Sequence, residues 1–255
     1  MNKTKSIKTS FIGSNGNRLD ARLEMPDETP KAFIIFSHCF TCTKDILTAY
    51  RSSRLLAQQG YAVLRFDFSG LGESEGDFAE CNFSTTVADI HAAIQFLSEN
   101  YETPEILIGH SLGGTSSLAA AIDALEIKRV ITIASPSQPA HVLHHFGQAL
   151  TLLEQNIPSS FEVAGKLYDI NPQFIDDVKK WDMQARLAGL KNSVLIFNVR
   201  NDALVSEDDA SEIERWLGGE TELIHLENTD HLLSDKTTHA YVMSQVVQWL
   251  KKHGT

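Results

Sequence analysis

The chain has 255 residues, of which 42% are hydrophobic and 22% are charged, as in ordinary globular domains. Its formal net charge of −11 makes nucleic acid and anionic membrane surfaces unfavourable partners. No apolar run approaches the ~20 residues that a membrane-spanning helix needs, and no signal peptide is recognisable at the N-terminus. Three cysteines are too few for a disulfide framework and suit a reducing compartment, so a cytoplasmic location is expected.

Apolar segments alternate with amphipathic ones along most of the chain, which is typical of a parallel sheet covered by helices on both faces. An antiparallel pair is expected first, at residues 6–12 and 18–25. Inner strands are predicted at 32–37, 62–68, 105–108, 129–134, 193–199 and 221–226. Helices are predicted at 45–59, 83–100, 112–125, 206–217 and 236–251. The predicted fold class is therefore α/β.

Residues 137–190 interrupt this alternation, because a crossover between two inner strands is normally much shorter. Within the interval, 140–155 and 172–181 have helical patterns, and 161–170 has a hairpin pattern. We therefore predict a core formed by residues 1–136 and 191–255, and a cap insertion at 137–190 over the carboxyl end of the sheet.

The pentapeptide Gly109-His110-Ser111-Leu112-Gly113 stands between a short apolar strand and a run of small, helix-compatible residues. A G-x-S-x-G sequence in that context predicts a nucleophile elbow, a sharp turn that projects the serine. The two glycines are expected to leave room for the Ser111 side chain. A Gly/Ser-rich loop without chemistry is the alternative, and the flanking strand and helix favour the elbow.

A serine hydroxyl is a weak nucleophile unless a base takes its proton and a carboxylate orients that base. His231 follows the last inner strand and Asp202 follows the strand at 193–199, so both are expected at the edge of the sheet where Ser111 lies. His225, inside a strand pattern, and His110, beside the serine but pointing away from it, are weaker candidates for the base. The rival carboxylates are Asp208, Asp209 and Asp230; the first two are better explained as partners of a helix N-terminus.

An oxyanion hole would complete this chemistry, since negative charge develops on the former carbonyl oxygen. The backbone N–H of Leu112, directly after the serine, is one expected donor. The other should come from the loop after an earlier inner strand, where Phe40 N–H is the candidate and His38 is expected to organise the loop.

This constellation resembles the α/β-hydrolase superfamily over nearly the whole chain. Many members carry His-Gly-aromatic in the oxyanion loop, and here Cys39 stands at the glycine position. The sequence SHCFTCTKD at 37–45, followed by RFDFSGLG at 65–72, is similar to a narrower group of bacterial hydrolases that are often joined to a C-terminal OsmC-like domain. The resemblance implies a carboxylesterase, and either a stand-alone member or a truncated form of a longer protein with an OsmC-like domain.

The sequence thus predicts a serine carboxylesterase that cleaves small to medium carboxylic esters through an acyl-enzyme and needs no cofactor. A thioesterase, amidase or peptidase would use the same triad, so these activities remain alternatives. A hydrolase-like binding protein without activity is disfavoured by the complete triad.

Two clusters allow other interpretations. Cys39 and Cys42 form a C-x-x-C next to a strand–helix unit, which also occurs in thiol-redox proteins. A disulfide there would lie on the loop of the oxyanion donor, so a redox role is a second hypothesis. The sequence also places three histidines on one face of the predicted cap helix, but with no carboxylate to complete a site we predict no metal: His141, His144 and His145.

Overall fold

The computed structural model describes residues 3–254. Ten strands occur in this part of the chain: β1 (Thr4–Ile12), β2 (Arg18–Pro26), β3 (Phe33–Ser37), β4 (Ala62–Phe66), β5 (Ile106–His110), β6 (Arg129–Ile133), β7 (Ser159–Val163), β8 (Lys166–Ile170), β9 (Ser193–Val199) and β10 (Thr221–Leu226). Its α-helices are α1 (Leu47–Gln58), α2 (Phe83–Asn100), α3 (Leu112–Asp123), α4 (Ala149–Glu154), α5 (Gln173–Lys180), α6 (Met183–Leu187), α7 (Glu207–Trp216) and α8 (Lys236–Lys252).

Eight strands form one sheet in the order β1-β2-β4-β3-β5-β6-β9-β10. The strands from β4 to β10 pair in parallel, whereas β1 and β2 pair antiparallel with each other and β2 pairs antiparallel with β4. The predicted α/β class, with a mostly parallel sheet and an antiparallel opening pair, is confirmed.

The inner strands are buried on both faces, as β3 illustrates. Phe33 and Ile35 belong to a core cluster shared with α2, α3 and α7, while Ile34 and Phe36 belong to the cluster shared with α1 and α8. Successive side chains of a strand point to opposite faces, so a continuous apolar run requires an apolar layer on each side. None of the helices within residues 3–254 is long and apolar enough to cross a membrane.

The strand order reverses at β3, which positions the functional loops. The chain runs from β3 to β4 on one side of the sheet and then crosses back to β5 on the other side of β3. The carboxyl ends of β3 and β5 therefore lie side by side at a topological switch point, the usual ligand-binding crevice of such sheets. The loop after β3 carries Phe40, and the turn after β5 carries Ser111.

The insertion between β6 and β9 is folded and packs on the core. It consists of a 3-10 helix (Pro139–Phe146), α4, the β7–β8 hairpin, α5 and α6. The single helix predicted at 140–155 is wrong: Gly147, with φ of 51°, separates the 3-10 helix from α4. The predicted hairpin at 161–170 is present as Ser159–Ile170. Helix α6 contacts α3 and α7.

Candidate active site

The turn after β5 holds Ser111 in a strained backbone conformation. Ser111 has φ of 54° and ψ of −130°, and its N–H donates to the carbonyl of Ile133 at 2.8 Å. A non-glycine residue in such a conformation costs about 1–3 kcal/mol and persists only where the surrounding structure imposes it. The strain marks a sharp strand-to-helix turn of the kind expected from the pentapeptide.

The elbow glycines allow close approach of the backbone. A Cβ on Gly109 would lie 2.2 Å from the carbonyl oxygen of Gly113, and one on Gly113 would lie 2.4 Å from the carbonyl oxygens of Ser37 and His38. The start of α3 therefore packs directly against the ends of β3 and β5. The sequence argument assigned these glycines to making room for the serine side chain, whereas the tightest constraint is this contact between main chains.

Asp202 and His231 meet after β9 and β10. His231 Nδ1 lies 2.7 Å from Asp202 Oδ2, and their side chains are only 9% and 1% exposed. Burial raises the pKa of Asp202, but the hydrogen bond and charge of His231 and the N–H of Leu204 outweigh it, so the pKa of this carboxyl lies below its ordinary value. Asp202 is thus held ionised and fixes the imidazole with Nε2 free.

The rival carboxylates have structural partners instead. Asp230 accepts from the N–H groups of Leu232 and Ser234, which closes the turn around His231. Asp209 forms a capping box with Ser206, and Asp208 lies in the first turn of α7, where its charge suits the helix dipole.

His110 has a supporting contact that sequence reasoning missed. Its Nε2 lies 2.7 Å from the carbonyl oxygen of His231, and the two rings are 4.9 Å apart. Since a carbonyl only accepts, Nε2 carries the proton and donates. Complete burial lowers the pKa of His110 to about 3, so the ring stays neutral. The elbow thereby holds the backbone of the His231 loop. His225, in contrast, pairs with Asn198 within the sheet.

The Ser111 hydroxyl makes no hydrogen bond to protein among residues 3–254. Contacts of this kind are often long in a site without substrate and tighten in the complex. The structure thus brings Asp202 against His231, and His231 against the residue beside Ser111.

The backbone amides of Phe40 and Leu112, at this crevice, have no acceptor among the described residues. Leu112 opens α3, so its amide lies at the positive end of a helix dipole. Phe68 N–H donates to His38 Nε2 at 3.3 Å, which leaves the proton on Nδ1 to donate to the Cys39 carbonyl at 2.8 Å. His38 therefore ties the Phe40 loop to the loop after β4.

A buried ion cluster lies under the same loop, and the sequence analysis did not foresee it. The side chain of Lys44 is 3% exposed, and its Nζ lies 2.7 Å from Asp67 Oδ2 and 3.0 Å from Asp20 Oδ2. The backbone N–H of Lys44 also donates to Asp67 Oδ1 at 2.6 Å. Burial lowers the pKa of Lys44, but the two carboxylates outweigh it and raise the pKa above its usual value. The sequence held a signal for this cluster, because Lys44 lies in the quoted sequence at 37–45 and Asp67 in the one at 65–72.

Cys39 and Cys42 form a disulfide. The C-x-x-C turn brings the two side chains within bonding distance, as the redox hypothesis requires. Cys81 is the free cysteine. Burial raises the pKa of the Cys81 thiol to about 12, so it is not nucleophilic at neutral pH.

An apolar pocket lies beside the two free amides, between the core and the insertion. Its lining includes Phe40 and Leu112. Aromatic side chains dominate its walls, among them Phe68, Phe78, Phe83 and Phe174. A separate open groove is lined by the loops that carry Asp202 and His231.

The three cap histidines contact the protein rather than forming a metal site. Among residues 3–254 no group of three or more His, Cys, Asp or Glu side chains is arranged to hold a metal ion. His141 Nε2 lies 2.7 Å from the carbonyl oxygen of Leu204, next to the Asp202 turn. The ring of His145 stacks on Phe40 with centroids 6.1 Å apart. Both histidines therefore connect the insertion to the loops of the site.

Residues 28–180, more than half of the chain, match the family described as serine aminopeptidase, S33 (Hydrolase_4). The chain belongs to this family. As a member it is an α/β-hydrolase enzyme, which confirms the predicted fold and superfamily. The esterase domain of a Rhodothermus marinus protein is 32% identical, covers 98% of both chains and superposes with a TM-score of 0.76.

Two further comparisons concern the fold and the share of the relatives' length that this chain covers. The palmitoyl-protein thioesterase ABHD10, mitochondrial, of Bos taurus is 26% identical over 186 residues, which are 69% of this chain and 59% of that protein. The structure of mouse alpha/beta hydrolase domain-containing protein 10 has a TM-score of 0.81 at 20% identity, over 97% of this chain and 100% of that one, and shows a shared fold. This chain spans less than two thirds of the length of these curated relatives.

Proposed function

We propose that the chain is a serine carboxylesterase that hydrolyses small to medium carboxylic esters through an acyl-enzyme. The observation that carries the proposal is the 2.7 Å contact between Asp202 and His231, held beside an elbow whose serine is in a strained turn. Buried pairs of a carboxylate and an imidazole with a shifted pKa cluster at functional sites, which supports the proposal.

In the proposed mechanism, His231 Nε2 takes the proton of Ser111 as its oxygen attacks the ester carbonyl. Asp202 keeps Nδ1 protonated and stabilises the imidazolium that forms. The N–H groups of Phe40 and Leu112 donate to the oxyanion. His231 then protonates the leaving alcohol and activates a water, which hydrolyses the acyl-enzyme by the same steps in reverse.

The apolar pocket suits the acyl group of the substrate. Its lining includes both residues that supply the proposed oxyanion donors, and aromatic side chains form much of the rest, as in apolar small-ligand sites. An apolar pocket at the proposed oxyanion donors favours esters with a compact, apolar acyl group.

A thioesterase is the second candidate. The bovine relative is named a palmitoyl-protein thioesterase, and a thioester would use the same proposed nucleophile, base and oxyanion donors as an oxygen ester. The family description adds peptidase activity as a third alternative. These activities share the acyl-enzyme and differ in the leaving atom, so substrate panels separate them.

Two further predictions accompany the proposal. The cytoplasmic location remains a prediction, and the named ABHD10 relatives are mitochondrial proteins. An OsmC-like domain in a longer form of the protein likewise remains a prediction. Small esters are the proposed partners.

The proposal is tested with Ser111→Ala, because removing the nucleophile abolishes acyl-enzyme formation while the small side chain preserves the turn. We expect kcat for short p-nitrophenyl esters to fall at least ~10³-fold and fluorophosphonate labelling to disappear. Oxygen esters, acyl thioesters and aminoacyl amides are compared at equal acyl length.

Ser244→Ala, at an exposed serine of α8 outside the proposed machinery, is the control and should keep wild-type activity and labelling. If Ser111→Ala retained most of the turnover while remaining folded by circular dichroism, the mechanism would be refuted. A wild-type preference for thioesters over oxygen esters would instead select the second candidate.

A further inference from the structure

The cystine spans the residue that supplies one oxyanion donor. Cys39 and Cys42 are bonded across Phe40 and Thr41, with Cα atoms 5.3 Å apart. The disulfide and the backbone of residues 39–42 therefore form a closed ring, and the Phe40 amide is part of it. Within this ring, Cys42 N–H donates to the Cys39 carbonyl at 3.2 Å. The direction of the Phe40 amide depends on the conformation of this ring.

The conformation of the ring is not one that the chain adopts freely. Thr41 has φ of 57°, a left-handed backbone that a β-branched residue disfavours. One contact from the insertion supports it, since Tyr168 hydroxyl donates to the Thr41 carbonyl at 3.0 Å. The disulfide is the covalent constraint on the same turn.

The flanks of the ring are fixed independently of the disulfide. On one side His38 is buried and bonded to the loop after β4, and on the other Lys44 is paired with Asp67 and Asp20. Opening the disulfide therefore removes the covalent constraint only from the segment between these two anchors, where the Phe40 ring still stacks on His145 and Phe161. The predicted consequence is local movement of the Phe40 amide within a folded protein.

The two sulfurs differ in access. Cys39 is 5% exposed, whereas Cys42 is half-buried. Thiol–disulfide exchange requires in-line attack by a thiolate on an accessible sulfur, so Cys42 is the one that a reductant reaches. Cys81 does not take part, because the high pKa of its thiol keeps it protonated.

We propose that the Cys39–Cys42 pair is a redox switch of the oxyanion hole, with the disulfide form active and the dithiol form impaired; this inference rests on the proposed serine-hydrolase mechanism. A small dithiol is the reductant. Its thiolate attacks Cys42 Sγ, the S–S bond breaks, and Cys39 leaves as a thiolate that takes a proton. The second thiol of the reductant then attacks the mixed disulfide and releases Cys42 as a thiol. Two electrons pass to the protein, and the reductant becomes a disulfide.

The test equilibrates the whole protein anaerobically at a series of reduced to oxidised dithiothreitol ratios. Alkylation and intact mass report the fraction of dithiol. Free thiols cleave activated esters, so the reductant is removed by gel filtration before kcat and KM are measured with a short p-nitrophenyl ester. Fluorophosphonate labelling of Ser111 is measured in parallel.

We expect kcat to fall at least ~10-fold as the pair is reduced, less than the ~10²–10³-fold cost of deleting a donor, because the amide remains present but misdirected. KM should change less than ~2-fold, and reoxidation should restore kcat. Cys42→Ser should resemble the reduced protein at every ratio. In Cys81→Ser the ratio of oxidised to reduced kcat should equal that of the wild type.

Each remaining outcome contradicts the switch in a distinct way. Equal kcat in the disulfide and dithiol forms, or a Cys42→Ser variant that still responds, overturns it and leaves the hydrolase proposal standing. Loss of folded circular dichroism on reduction makes the disulfide a structural staple instead. If the oxidised protein neither turns over esters nor labels at Ser111, the hydrolase proposal itself fails.

Discussion

At the scale of single residues, the site depends on which carboxylate faces His231. Asp202 and Asp208 lie six positions apart around the start of α7, and the sequence favours Asp202 because Asp208 falls where a helix begins. Asp202 is buried against Nδ1, whereas Asp208 is exposed at the helix N-terminus. The difference is one of position relative to His231, since the two side chains are chemically identical.

Asp202→Asn is therefore expected to lower kcat by ~10³–10⁴-fold, because an amide neither stabilises the imidazolium nor holds the required tautomer. Asp208→Asn is the matched control and should change kcat less than ~2-fold, with at most ~1 kcal/mol lost from the helix dipole. Steady-state kinetics with a p-nitrophenyl ester check both. Equal effects in the two variants would contradict the assignment of Asp202.

At the scale of elements, the site depends on how α3 meets β3 and β5. The nucleophile turn and the oxyanion loop share one backbone contact, between Gly113 and the carbonyls of Ser37 and His38. Any side chain at Gly113 must separate α3 from the end of β3. The two loops that supply Leu112 and Phe40 would then move apart.

The backbone around Gly113 is rigid and cannot yield to an added methyl group. Gly113→Ala is therefore expected to reduce the free energy of unfolding by several kcal/mol. If α3 shifts instead, kcat should fall at least ~10-fold. Gly189→Ala is the control, since a Cβ there would meet no atom within 4 Å. That variant should be neutral or stabilised by ~0.4–1 kcal/mol. Urea denaturation and ester kinetics report both quantities, and a stable, fully active Gly113→Ala would contradict the packing argument.

At the scale of the whole molecule, buried neutral histidines link stability to pH. His239 in α8 is 3% exposed and contacts Ser52 of α1 at 3.0 Å. Burial, reinforced by the charge of Arg51, lowers the pKa of His239 to about 4. Below about pH 6.5 the unfolded chain binds a proton at this residue that the folded chain does not, so stability is present above that pH and is lost as the pH falls towards 4.

The free energy of unfolding of the wild type should fall between pH 7 and pH 5, and the shifted pKa of His239 accounts for about 2 kcal/mol of that fall by linkage. In His239→Gln the fall is expected to be smaller by this amount. The free energy of unfolding by urea at the two pH values measures it. His144→Gln, at an exposed position in the insertion, should leave the difference between the two values unchanged. An identical pH dependence in wild type and His239→Gln would show that the buried ring is not the cause.

The sequence by itself determined the elements and the order of the candidate site residues, because both are encoded locally. Apolar runs bounded by turn residues identified the inner strands, and the glycine-flanked Ser111 predicted the turn that φ of 54° now describes. The helix predicted at 140–155 was wrong because Gly147 interrupts it, a local break that periodicity alone does not reveal.

Only the tertiary structure decided which residues act together across the fold. The contact of His110 with the His231 carbonyl joins residues 121 positions apart, and the pairing of Lys44 with Asp67 and Asp20 joins three segments of the chain. Such contacts leave no periodic pattern, because they depend on strand order and on the close approach of backbones. The same holds for the cystine: its sequence spacing allowed a disulfide, and the fold placed it around the Phe40 amide.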